Sequence, residues 1–301
     1  MKLAFFLGCN IPTQAYNYEV SVRKIAEVFD IELMDIQDFG CCGELTEAMD
    51  YYTSLVFSAR NIALAEKECL DILTACNGCF ASLNKAIFAL RDSHLRSRVN
   101  ETLKEISNNM EMDARPNIIY KGTSKVFHVH QLLYDSIGLS KIKEKIVHNL
   151  KNVSVSCHNG CHILRPNNIL GFDDPESPKK LEELVALTGA KIVEPMGNEQ
   201  CCGSLLSLCD VDSAQSLAIE SLERKGEVDA IVVGCPSCFK QFDMGQIIAR
   251  KNFNNELNIP ILFYTELLGL ALGLEAKDIG LNVVHKIKPD VFLEKLGVSN
   301  G

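Results

Sequence analysis

Two Cys-Cys-Gly triplets, Cys41-Cys42-Gly43 and Cys201-Cys202-Gly203, constrain this chain more than any other feature. Neighbouring Cα atoms lie about 3.8 Å apart, and in extended backbone adjacent side chains point to opposite sides. Two adjacent thiols therefore converge on one site only through a tight turn, and a following glycine supplies the positive φ such a turn needs. Each triplet is followed, at nearly the same interval, by a Cys-x-x-Cys: Cys76/Cys79 and Cys235/Cys238. Each is preceded by a Gly-Cys that closes a short apolar run: Gly8-Cys9 and Gly160-Cys161. The result is one set of five cysteines, used twice.

The rest of the composition narrows what those thiols can be for. The chain has 301 residues, of which 47% are apolar and 23% charged, an ordinary globular balance with length enough for two domains. A net charge of −9 with no basic stripe argues against nucleic acid as a partner. Thirteen cysteines without a secretory leader point to reduced thiols acting as ligands, not to a disulfide framework. The opening run Met1–Cys9 is too short for a signal sequence. No apolar stretch approaches the roughly 18 residues of a membrane span. A cytoplasmic protein is expected.

Local patterns give strands at Leu3–Leu7, Glu32–Ile36, Ile72–Ala75 and Lys125–Val129, then at Val153–Ser156, Lys191–Val193, Ala230–Val233 and Ile261–Phe263. Helices are expected around Val22–Phe29, Leu55–Ala63, from Leu83 past Leu103, and Leu132–Ile137. In the second half they are expected after Ser177-Pro178 (an N-cap and N1 pair), over Asp212–Lys225, Phe239–Ala249 and Glu266–Leu272, with Gly189 closing the first of these. Every cysteine cassette follows a strand, and strands alternate with helices. The predicted class is α/β: two duplicated α/β halves with mainly parallel sheets, related by pseudo-two-fold symmetry and divided as 1–144 and 145–301. In such sheets binding sites form beyond the carboxyl ends of the strands.

Five thiols per set exceed the four ligands of a structural zinc or of an ordinary iron–sulfur cubane. A thioredoxin-like dithiol would use only the Cys-x-x-Cys pairs and leave Cys9 and Cys161 idle. An iron–sulfur cluster of unusual shape, with a bridging thiolate or exchangeable ligands, uses all five. Cys157 competes with Cys161 for the second set; Gly160-Cys161 matches Gly8-Cys9, and Cys161 is preferred. Cys157, Cys69 and Cys209 are expected to be small buried apolar side chains.

The spacing of Cys9, Cys41-Cys42-Gly43 and Cys76/Cys79, repeated across the whole chain, resembles the cysteine-rich CCG domain found in the B-type subunit of heterodisulfide reductase. The phrases Phe5-Phe6-Leu7-Gly8-Cys9, Cys76-Asn77-Gly78-Cys79, Gly160-Cys161-His162-Ile163-Leu164-Arg165-Pro166 and Leu267-Leu268-Gly269-Leu270-Ala271-Leu272-Gly273-Leu274 are similar to that B-type chain. The resemblance implies two noncubane [4Fe-4S] clusters facing each other across the halves. Cys9, Cys41, Cys42, Cys76 and Cys79 would hold one, and Cys161, Cys201, Cys202, Cys235 and Cys238 the other. It further implies cleavage of the mixed disulfide of coenzyme M and coenzyme B between them. The setting would be a methanogenesis-type heterodisulfide reductase complex with a flavin and iron–sulfur A-type partner and an iron–sulfur C-type partner. An electron-transfer component without a substrate of its own is the competing expectation.

Other residues are read more simply. His162 and Arg165 flank a ligand and are candidates for anionic groups of a substrate. His128 and His130 alternate in a strand and are expected to face the same side. Lys85, Lys240 and Arg60 are expected in solvent, and Gly8, Gly43, Gly78, Gly160, Gly203 and Gly234 are expected to bring backbone N–H groups close to sulfur.

Overall fold

Strand β1, Lys2–Phe6, is buried at every residue after Lys2, as a strand must be when helices cover both faces of a parallel sheet. The computed structural model describes residues 1–109, 118–193, 197–252 and 257–298. β1 pairs in parallel with β2 (Glu32–Met34) and β3 (Asp71–Thr74), and β3 with β4 (Val126–His128), giving the order β2-β1-β3-β4. The second half repeats this arrangement. β5 (Ser154–His158), β6 (Lys191–Ile192), β7 (Ala230–Val233) and β8 (Ile261–Phe263) lie in the order β6-β5-β7-β8, again all parallel. The fold is α/β, with two similar halves. In register, Phe6 lies beside Thr74 and His158 beside Val233, so all four central strands end together. The Gly-Cys and Cys-x-x-Cys segments leave from these ends.

The principal helices are α1 (Tyr16–Val28), α2 (Tyr51–Lys67), α3 (Asn77–Ala89), α4 (Ser93–Asn109), α5 (Lys180–Leu187), α6 (Val211–Arg224), α7 (Pro236–Asn252), α8 (Tyr264–Ala271) and α9 (Asp290–Leu296). Three sequence expectations change. The long helix from Leu83 is two helices, because the Asp92 carboxylate accepts the Leu95 N–H at 2.7 Å and caps a new start. Ser177-Pro178 does not open α5; the Asp173 carboxylate accepts the N–H groups of Lys179 and Lys180 at 2.8 and 2.7 Å and fixes its start there. His128 ends β4, and a helical turn begins at Val129 with the His128 ring accepting the His130 N–H at 3.2 Å. The two imidazoles therefore do not share a strand face.

The halves join through a buried seam between α1 and the segment that follows β8. Tyr18 stacks on Phe263 at 3.7 Å between ring centres, and Ser21 meets Thr265 at 2.6 Å between hydroxyls. Asn17 Nδ2 donates to Glu266 Oε1 at 2.8 Å, and His285 Nε2 lies 3.0 Å from the same oxygen. Burial pulls the His285 pKa down, but the charge and hydrogen bond of Glu266 outweigh it, leaving the group raised. Tyr18 Oη donates to the Gly234 carbonyl at 3.1 Å, tying a first-half helix to the residue before Cys235.

Candidate metal centre

The local chain explains how each thiol arrives. Cys76, with extended φ and ψ of −121° and 123°, is the N-cap of α3, and Cys79 lies one turn inside it. Residues three apart share a helical face, and the positive end of the helix favours thiolate there. Cys235 and Cys238 stand in the same relation to α7, whose first residue is Pro236. The paired cysteines turn on Gly43 and Gly203, at φ +90° and +82°. The N–H of Gly43 donates to Cys41 Sγ at 3.4 Å, and that of Gly203 to Cys201 Sγ at 3.3 Å. A Cβ on either glycine would lie 2.8 Å from a helix carbonyl, that of Ser54 or Ala214. Asp50 and Asp210 cap those two helices in the same way, accepting the N–H groups of Thr53 and Ser213. Ser58 and Asn61 hold the Cys42 and Cys41 carbonyls at 2.6 and 2.9 Å.

The ten sulfurs form one continuous series. Cys9 neighbours Cys41, then come Cys42, Cys79 and Cys76; from Cys76 the series crosses the seam to Cys235 and continues through Cys238, Cys202 and Cys201 to Cys161. The order reads the same from both ends, with the Cys76–Cys235 contact at its centre. Thiols in contact divide their protons unequally. Hydrogen bonds from Cys42 and Cys9, with the Gly43 N–H, hold Cys41 down to about 2. Those from Cys161 and Cys202 do the same for Cys201, also at about 2. Cys238 and Cys76 hold Cys235 well below its ordinary value. The neighbours move up: Cys42 to about 12 against Cys41, and Cys76 well above normal against Cys235. Anionic sulfur is thus favoured in both sets and at their junction.

Two adjoining cavities open onto this series. The larger, about 340 Å³, meets Cys9, Cys41, Cys42, Cys76 and Cys79 and is closed from the other half by Ser207, Leu208, Ser237 and Lys240. The smaller, about 30 Å³, meets Cys161, Cys201, Cys202, Cys235 and Cys238. Glu44, Ser204, Leu205 and Ser237 wall both. Burial raises the pKa of Glu44, whose Oε1 lies 3.5 Å from His162 Nδ1 across the seam. Gly78 leaves the space its carboxylate occupies. Asn10 Nδ2 donates to Ser237 Oγ at 3.1 Å and Asn77 Nδ2 to the Asn159 carbonyl at 2.8 Å, so hydrogen bonds link the halves beside the thiols.

Other sequence candidates fall in varied places. His162 lies beside Cys161, at 3.6 Å from its sulfur, and lines the smaller cavity. Arg165 lines neither cavity; its guanidinium donates to the carbonyls of Glu199 and Pro175 at 3.2 and 2.7 Å and braces the loop. Cys161 neighbours Cys201, whereas Cys157 is buried within β5. Cys69 and Cys209 are exposed, not buried: Cys69 is a left-handed residue (φ 56°) just past α2, and Cys209 follows the turn after the second triplet. His128 and His130 are buried, and desolvation lowers both, His128 to about 4. Lys85 pairs with Glu47 and Arg60 donates to the Asp38 carbonyl, while Lys240 reaches the larger cavity. Gly234 makes room for the His130 ring. Glu44, Asn10, Asn77 and Ser237 carry no sequence signal of their own; only the apposition of the halves brings them to the thiols.

The donor set fits iron–sulfur chemistry. Among the described residues no three His, Cys, Asp or Glu side chains gather as they would around a single ion. The thiols instead line an extended site, and Gly8 and Gly160 let backbone pass close to Cys79 and Cys238 sulfur. Buried polar atoms without partners include Asn77 Oδ1, on a residue lining the smaller cavity, and Asn159 Nδ2 and both ring nitrogens of His158, on residues that precede Cys161 in the chain. Sulfide and thiolate sulfur accept hydrogen bonds of the kind donors among such groups offer.

Comparison with known proteins agrees. Residues 3–84 and 155–243 match the family described as CCG, the cysteine-rich domain. The chain is 36% identical to the B subunit of the ferredoxin:CoB-CoM heterodisulfide reductase of Methanosarcina mazei, over 98% of this chain and 97% of that protein. It is 34% identical to the 8-methylmenaquinol:fumarate reductase membrane anchor subunit of Wolinella succinogenes, over 93% of this chain and 95% of that one. No described helix is long and apolar enough to cross a membrane. A crystal structure of a hypothetical protein from Helicobacter pylori shares the fold, with a TM-score of 0.74 at 14% identity, covering 95% of this chain and 52% of that chain. The repeated five-thiol sets, the paired parallel sheets and these matches together place the chain in the CCG family, among the relatives of the heterodisulfide reductase B subunit.

Proposed function

We propose that this chain is the catalytic subunit of a soluble heterodisulfide-reductase-type complex. Its substrate on this reading is the mixed disulfide of coenzyme M and coenzyme B, or a related disulfide, reduced between two noncubane [4Fe-4S] clusters. Cys9, Cys41, Cys42, Cys76 and Cys79 hold the first cluster, and Cys161, Cys201, Cys202, Cys235 and Cys238 the second. The observation that carries the reading is the Cys76–Cys235 contact, which brings the two sets together beside a cavity walled by both halves. Bound there, the clusters supply one-electron reduction and iron that can bind sulfur. One S–S bond breaks, two electrons enter from partners of the A and C type, and two protons complete two thiols. The chain's own residues bind and orient: Lys240 is the cation among the described residues lining the larger cavity and offers an anionic substrate its charge. Asn10 and Ser237 hold the halves in register, and the half-buried Glu44, raised by desolvation, sits where a proton can be held beside both cavities.

Anaerobically purified protein should contain about eight irons and eight sulfides per chain, from two four-iron clusters, and should reduce a disulfide with a reduced viologen as donor. Stoichiometric zinc with negligible iron sinks the reading. The fumarate reductase relative favours a second reading, an electron-transfer component with no substrate of its own. Adding disulfide to the oxidised, cluster-loaded protein separates the two: a changed electron paramagnetic resonance spectrum and turnover support catalysis, whereas clusters that take electrons but ignore disulfide support the relay.

A further inference from the structure

The two halves present matching thiols in unmatched surroundings. Phe6 and His158 end equivalent strands, each three residues before the first cysteine of its set, and both are fully buried. Gly43 packs against Ser54 and Gly203 against Ala214 at the same interval. Continuing along these two helices by equal steps places Ala65 opposite Lys225. The first half is apolar at both positions, Phe6 and Ala65, while the second half has His158 and Lys225.

Lys225 is the unusual member. It is only 1% exposed, and lysine is rarely so buried unless paired. Its Nζ donates to two neutral oxygens, the Cys157 carbonyl at 3.0 Å and Asn198 Oδ1 at 2.8 Å. Asn198 in turn accepts the Asn159 N–H at 2.9 Å and donates to Glu182 at 2.7 Å, so the ammonium sits within the framework that shapes the second set. Burial lowers its pKa only to about 8, with Cys157, Glu199, Cys238 and Glu182 acting against that fall, so it carries its charge at neutral pH. A buried cation is poorly screened by solvent and salt. It stabilises whatever negative charge arrives nearby, and reduction adds one such charge. His158, neutral through burial, places two unbonded ring nitrogens in the same region.

We infer that Lys225 makes the site formed by Cys161, Cys201, Cys202, Cys235 and Cys238 the easier of the two to reduce, so that the first electron delivered to the protein rests in the second half. The inference builds on the cluster reading above.

The test is a redox titration of the full-length, cluster-loaded protein with dithionite, followed by electron paramagnetic resonance. Cys42→Ser and Cys202→Ser variants assign the two signals. In the parent protein the second-half signal should appear at the more positive potential. Lys225→Gln keeps donors for the Cys157 and Asn198 oxygens without the charge, and Lys225→Met keeps neither. Both should make reduction of the second site at least tenfold less favourable, about 59 mV for one electron, and leave the first site unmoved. A Lys225→Gln protein whose second site titrates as in the parent overturns the inference. So does an equal shift of both sites, a shift confined to the first, or loss of second-half iron, which would make Lys225 a scaffold residue. Parent protein without iron removes the cluster reading itself, a result told apart from these by metal analysis.

Discussion

Gly203→Ala asks whether the turn after the paired cysteines sets the position of the metal centre. Gly203 has φ +82°, where an L-residue is strained by about 1–2 kcal/mol. The added Cβ would stand 2.8 Å from the Ala214 carbonyl oxygen and 3.3 Å from its Cα. Those atoms are helix backbone and cannot rotate aside, so the turn or the start of α6 must move by several tenths of an ångström. Overpacking of this kind typically costs about 1–3 kcal/mol. The sum, about 2–5 kcal/mol, is a large share of a domain stability of about 5–15 kcal/mol, yet leaves a folded chain. Moving the turn also loosens the Gly203 N–H from Cys201 Sγ, now at 3.3 Å. The variant should therefore purify with about half the parent iron and melt several degrees lower. Gly43→Ala, at φ +90° and with the Ser54 oxygen 2.8 Å from its Cβ, should lose the other half. Iron and sulfide per chain, with anaerobic thermal melts, are the measurements. A Gly203→Ala protein with parent iron content and parent melting temperature would refute the reasoning.

The His285–Glu266 pair should make stability depend on pH. Because the folded His285 pKa lies above the unfolded value of about 6.5, its contribution is full below that value and is lost as pH rises through the folded one. Melts should therefore show a loss above about pH 6.5 that His285→Asn removes, at a cost of about 3 kcal/mol at the lower pH from leaving Glu266 short of a partner; an unchanged pH slope in the variant would count against the pairing. Cys42→Ser should alter the cluster spectra and abolish disulfide reduction, whereas Cys69→Ala, at an exposed position past α2, should leave iron content and turnover as in the parent; spectra and turnover measured on both variants check this.

What was legible in the sequence is what repeats or what is continuously apolar. Ala230–Val233 and Ile261–Phe263 read correctly residue for residue, because a strand buried on both faces is an unbroken apolar run between breaks. The grouping of ten thiols into two sets was visible because the spacing within each cassette is local. Lys225 was not legible as a buried cation, whereas Lys240 is exposed as expected. A lysine at a helix end has the same sequence signature in water as against a buried carbonyl, and only the packing of β5 and its loops over Lys225 separates the cases. Cys69 failed for the complementary reason: a cysteine looks apolar in sequence, but the left-handed position after α2 leaves it exposed. Asp92 and Asp173 redirected helix starts through side-chain bonds that compete with the more obvious breaks nearby.

The inequality of the halves bears on why a duplicated chain keeps both copies. Cleaving a disulfide takes two electrons, and carriers that deliver one at a time must leave the first in place while the second arrives. A site that stores charge is best buried beside a fixed cation; a site that receives substrate needs room. On the proposed reading these demands fall on different sides of the site. The 340 Å³ cavity meets the thiols of the first set and is walled by both halves, while the second set has about 30 Å³ and the buried Lys225. Cys76 and Cys235 are neighbours at the centre of the series, so charge held on one side lies close to the other. On the proposed reading, two identical halves would each be half suited to both tasks. On that reading, the divergence of Phe6 from His158 and of Ala65 from Lys225 would let the second half hold the first electron while the disulfide lies between the two sets.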